Sequence, residues 1–102
     1  MENKYIIKYL PTFNEELNSI LYYFVNELKN KNAAENLYKE VFNRIERRSF
    51  ALNAFKAFKT TKKGESWYRI QVKKFTIFYV VKNNIMEVRR ILYNKRNFGK
   101  LI

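Results

Sequence analysis

A chain of 102 residues, 47% hydrophobic and 18% aromatic, holds enough apolar material for one modest core, so residues 1–102 read as a single domain. Lys and Arg number 21 against nine acids, all Glu, for a net charge of +12, and Cys, His and Asp are absent. Those absences exclude disulfides, thiol chemistry, His-based proton transfer, Asp-bearing triads and the common metal sites, and no apolar run is long enough for a membrane-spanning helix. The expectation is a soluble, cytoplasmic protein with no metal and no cofactor.

Residues 4–10, rich in Tyr and Ile, predict a short first strand closed by Pro11. A helix follows: Thr12 with Glu15 is a capping-box pattern, and Phe13, Leu17, Ile20, Leu21, Phe24, Val25 and Leu28 recur at helical spacing. Asn30-Lys31-Asn32 interrupts that stripe. Asn32 with Glu35 can then cap a second helix carrying Ala34, Leu37, Tyr38, Val41, Phe42 and Ile45 on one face, which predicts an antiparallel helical hairpin. Residues 49–66 read as an irregular connector, pinned by Phe50, Phe55 and Phe58 or forming a charged lip beside a groove.

Three strands close the chain. Trp67 to Val72 alternates, with Tyr68, Ile70 and Val72 on one face and Trp67, Arg69 and Gln71 on the other; Phe75 to Val81 is β-branched and aromatic; Ile85 to Tyr93 alternates again. Short links at Lys73-Lys74 and Lys82-Asn83-Asn84 predict an antiparallel meander. The expected architecture is α+β, in the order β-α-α-β-β-β. A two-helix hairpin would pack on one face of a mainly antiparallel four-stranded sheet and leave a basic concave face opposite.

Charge is uneven along this order. Residues 1–55 hold eight Lys/Arg against seven Glu, whereas residues 56–102 hold thirteen against two. A field of that asymmetry points to a polyanionic partner: nucleic acid, a ribosomal surface or an acidic protein segment. Trp67, Arg69, Lys73, Lys74, Arg89, Arg90, Lys95 and Arg96 are the candidate target-binding or nucleic-acid-binding residues, with Tyr93 beside them. Each has a structural alternative. Arg69 and Arg90 could form ion pairs or stack across the sheet, Lys73 and Lys74 could decorate a turn, and Trp67 could cover an edge.

The segments LYYFVNELKNKNAAENLYKEVFNRI and WYRIQVKKFTIFYVVKNNIMEVRRILYNKRN, in this order, resemble the RelE/ParE superfamily of toxins from bacterial type II toxin-antitoxin modules, over nearly the whole chain. The resemblance implies a growth-arresting toxin held by a cognate antitoxin, acidic and encoded next door. Its target would be DNA gyrase in the ParE-like branch, or the ribosome and its mRNA in the RelE-like branch, a metal-independent endoribonuclease. Arg69 falls where RelE carries a basic catalytic residue, and Arg96 matches a basic residue after the last strand. Gln71 and Thr76 stand where RelE has Lys and Arg, and residues 97–102 offer no Tyr or His. RILYNKRN, with Tyr93 at the ParE-branch His position, keeps the ParE-like spacing. The ParE-like reading is therefore preferred; Arg69, Arg96 and Tyr93 would be catalytic only in the RelE-like one. A plain nucleic-acid-binding module is the third reading.

Overall fold

Pro11 both ends the first strand and opens the first helix, because its ring fixes φ near the helical value and a helix start leaves that N–H position unpaired anyway. In this computed structural model, which describes residues 5–51 and 54–95, β1 is Ile6–Tyr9 and α1 is Pro11–Tyr22. The expected capping box is not used. Leu10 stands at the N-cap without a side-chain bond, and Thr12 lies inside the helix. Arg96 lies outside the described residues.

The helical stripe continues into a π-helical turn, Tyr23–Glu27, and Lys29, at φ +52°, reverses the chain. Asn30 rather than Asn32 then caps α2, Lys31–Arg48: its Oδ1 accepts the Ala33 N–H at 3.0 Å. Two residues of offset, across the run Asn30-Lys31-Asn32, separate the expected cap from the observed one.

The sheet has five strands, not four: β1, then β2 Lys59–Thr60, β3 Ser66–Val72, β4 Phe75–Lys82 and β5 Ile85–Tyr93, in the spatial order β1-β5-β4-β3-β2. The chain order is accordingly β-α-α-β-β-β-β. Only β1 runs parallel to its neighbour, β5. The added strand corrects the irregular connector expected over 49–66. Lys59 pairs with Trp67 and Thr60 with Ser66, and the Phe58 N–H reaches the Trp67 carbonyl at 2.6 Å. Two residues are too short to show an alternation in sequence.

Both helices cover one face. Phe13 and Leu17 of α1 and Leu37, Val41 and Ile45 of α2 meet Ile70, Val72, Ile77, Tyr79, Met86, Val88 and Ile91, all buried. Each fully buried aliphatic or aromatic side chain contributes roughly 1.5–3 kcal/mol, so this layer is the main source of stability. The opposite face, expected to be a basic concave surface, carries an apolar cluster of its own. Trp67, Phe78, Val80 and Leu92 form a second buried cluster with Phe58 against it, whereas Phe50 and Phe55 stay exposed.

A bulge splits β5. Phe78 pairs with Arg90 but Tyr79 pairs with Val88, leaving Arg89 as the extra residue. Strict alternation from Val88 would turn Arg90 toward the helices and Ile91 away. With the bulge, Val88 and Ile91 both enter the helix-side core. Arg89 is thereby aimed at the other face and Arg90 at the sheet edge, where α1 lies.

Side chains from the helices finish both edges of the sheet. Past the end of β1, the Ile91 N–H donates to Glu16 Oε1 at 3.1 Å. Past the end of β2, the β3 carbonyls of Arg69 and Gln71 accept from Arg48 Nη1 at 3.1 Å and Arg44 Nη1 at 3.0 Å. Edge groups left unpaired invite pairing with other chains, so these three contacts limit that exposure.

Candidate functional site

The two adjacent arginines of β5 are held by carboxylates. Arg90 grips Glu16 with Nε 3.0 Å from both oxygens and Nη2 2.6 Å from Oε2. Arg89 places Nε 2.6 Å from Glu87 Oε1, its two Nη atoms 3.2 and 3.0 Å from Glu65, and its guanidinium 5.0 Å from the Trp67 ring centre. Hydrogen bonds to Glu16 raise the Arg90 pKa. At Arg89 burial alone would lower the pKa, and the bonds to Glu65 and Glu87 outweigh it, so the value is raised. Glu65, bonded by Arg89 and also by Lys82 at 3.0 Å, is pulled down to about 2. These arginines hold the fold together.

The remaining candidates fall on different faces. Paired residues of an antiparallel ladder share a face. Tyr93 pairs with Phe75, rings 5.7 Å apart, on the helix side. Arg69 pairs with Phe78 on the other side, its guanidinium 4.5 Å above the Phe58 ring. Trp67 is buried in the second cluster and offers no open face for a base to stack on. Lys73 and Lys74 form the exposed β3–β4 turn, with Lys73 at φ +52°, and Lys95 is exposed just after β5.

Gln71 and Thr76 stand on the Arg69 side of the sheet, and a polar network fixes them. Thr76 Oγ1 lies 3.2 Å from Gln71 Oε1 and 2.6 Å from Asn94 Oδ1, while Gln71 Nε2 donates to the Lys73 and Phe75 carbonyls at 2.9 and 3.2 Å. The Asn94 N–H closes the corner on the Lys74 carbonyl at 2.9 Å. Neutral amides and a hydroxyl that satisfy one another leave little capacity to hold a phosphorane charge.

On the helix side, the described surface opens into an apolar groove of about 880 Å³. Ile20, Phe24, Leu37 and Phe75 line its depth, Tyr23 and Leu28 its α-side rim, and Lys73, Lys74 and Tyr93 its sheet-side rim. It continues into a shallower cleft of about 410 Å³ along Glu15, Glu16, Ser19 and the end of β5. Tyr23 and Leu28 are 52% and 48% exposed, large for residues lining apolar space. The sequence carried a signal for this groove that a core assignment absorbed: the apolar stripe runs on through Phe24 and Leu28, past the end of α1 at Tyr22. Within the π turn Phe24 still packs on Phe75 of β4, rings 6.3 Å apart, while Tyr23 and Leu28 on either side of it stay half exposed.

The comparisons agree with this architecture. A family model described as the ParE toxin of the type II toxin-antitoxin system parDE matches residues 7–98. No curated protein matches the chain. Among solved structures, a chain of the chromosomal ParDE toxin-antitoxin system from P. aeruginosa is similar in fold, with a TM-score of 0.70 and 14% identity over 88% of this chain and 96% of that one. With nearly its whole length matched by that family model, the chain belongs to the ParE family of type II toxins.

Proposed function

We propose that this toxin arrests growth by inhibiting DNA gyrase, and that a cognate antitoxin neutralises it by laying an apolar segment in the groove between the helices and the end of β5. The observation that carries the gyrase reading is the separation of Arg69 and Tyr93 onto opposite faces of the sheet. RNA cleavage needs a charge stabiliser and a proton mover on the same phosphodiester, within hydrogen-bond reach of the reacting atoms. Gln71 and Thr76, locked together with Asn94, add no cation to the Arg69 side. The groove supports the antitoxin half of the reading, because an apolar floor with partly exposed Tyr23 and Leu28 fits an amphipathic or extended segment.

Induction of the toxin alone tests both halves. The expected result is growth arrest with gyrase-dependent DNA breaks, unchanged by Arg69→Ala and relieved by co-expression of the neighbouring antitoxin gene. Codon-phased mRNA cleavage that disappears in Arg69→Ala would instead establish the ribosome-dependent nuclease.

A further inference from the structure

We propose that the helix-free face of the sheet docks on the backbone of duplex DNA, with Lys62–Lys63 and Lys73–Lys74 as its two phosphate contacts. Both pairs sit at hydrogen-bonded turns. Lys62 and Lys63 are the centre of a turn closed by the Gly64 N–H on the Thr61 carbonyl at 2.9 Å and the Thr61 N–H on the Glu65 carbonyl at 2.8 Å, with Gly64 at φ +86°. Lys73 and Lys74 are held from below by the Gln71 amide on the Lys73 and Phe75 carbonyls. All four side chains are exposed, and no carboxylate among the described residues pairs with them.

The two pairs lie at opposite ends of β3, whose seven residues at about 3.3 Å each separate them by about 23 Å. At about 3.4 Å per base pair that distance spans about seven base pairs of duplex, with exposed Arg69 between the two ends. The only glutamates of the basic half, Glu65 and Glu87, are already engaged by Arg89 and Lys82, so they do not oppose an incoming phosphate. Duplex is favoured over a single strand because the aromatic rings on this face are closed to stacking: Trp67 and Phe78 are buried, and Phe58 lies beneath the Arg69 guanidinium. Lys73 and Lys74 also stand on the rim of the groove, so this surface meets the groove at the β3–β4 turn, while Lys62, Lys63 and Arg69 lie away from its lining; the inference stands whatever the target of the toxin.

The test is a fluorescence-anisotropy titration of the purified full chain against a labelled 20-base-pair duplex at several salt concentrations. Lys62→Gln with Lys63→Gln, and Lys73→Gln with Lys74→Gln, should each weaken binding by about tenfold or more and flatten the salt dependence by about two phosphate contacts. Lys31→Gln with Lys39→Gln on α2 removes the same charge from exposed positions and should leave both quantities near the parent values. Circular dichroism of every variant should match the parent, since the replaced side chains are exposed. Equal weakening by all three pairs would reduce the binding to bulk charge and overturn the proposal. So would the absence of duplex binding, or tighter binding of the single strand than of the duplex.

Discussion

The carboxylate of Glu16 holds the Arg90 guanidinium with both oxygens and also accepts the Ile91 backbone N–H at a sheet edge that β1 no longer covers. Removing it leaves a half-buried arginine and an open edge group. Glu16→Ala should therefore cost about 2 kcal/mol, read as a lower denaturant midpoint, while Glu16→Gln, which keeps an acceptor for Ile91, should cost about half as much. Glu65 gives a pH signature instead. Its carboxyl is lowered from the ordinary 4.5 to about 2, so the stability it adds is complete above about 4.5 and is lost as pH falls through about 2. Thermal melts of Glu65→Gln should show a lower melting temperature at pH 7 and a shallower decline than the parent between those two values.

Among the elements, β3 depends on α2 for its outer edge. Arg48 Nη1 serves the Arg69 carbonyl and the Tyr79 hydroxyl at 2.9 Å, and its guanidinium carbon lies 3.4 Å from the Phe55 ring centre. Burial raises the Tyr79 hydroxyl pKa, and the bond to Arg48 opposes that rise without cancelling it. Arg48→Ala leaves a buried hydroxyl without its donor, and unfolding measurements should show a loss of about 2 kcal/mol. The β3–β4 turn runs the other way. Lys73 holds a left-handed φ that glycine adopts without steric penalty, so Lys73→Gly should leave stability unchanged or raise it by up to about 1 kcal/mol.

The strands β3, β4 and β5 and both helices were legible in the sequence, because each carries several turns or pleats of a periodic apolar pattern. The two-residue β2 and the bulge at Arg89 were not. Both depend on pairing with a distant strand, although the doubled arginine at 89 and 90 does break the alternation where the bulge falls. The same pairing explains why Arg89 and Arg90, conspicuous in sequence as a free basic pair, are internal ion pairs: Glu16 and Glu65 are remote in the chain and near in space. The placement of Arg69 and Tyr93 on opposite faces follows from their positions along adjacent ladders, which short-range spacing does not convey.

At the scale of the whole molecule, the helix layer and the helix-free face offer different chemistry. The first presents an apolar groove, the second a cationic frame around a closed apolar cluster. Placing a negative charge in the groove should separate folding from neutralisation. Leu28→Glu and Tyr23→Glu, at half-exposed positions, should fold normally and remain toxic yet escape rescue by the antitoxin, read as colony counts under co-expression. The most direct test of the central claim is a supercoiling assay with purified toxin, gyrase, ATP and relaxed plasmid. Loss of supercoiling with accumulation of cleaved plasmid is the predicted result, alongside intact mRNA in a programmed-ribosome reaction. Uninhibited gyrase together with cut mRNA would contradict it.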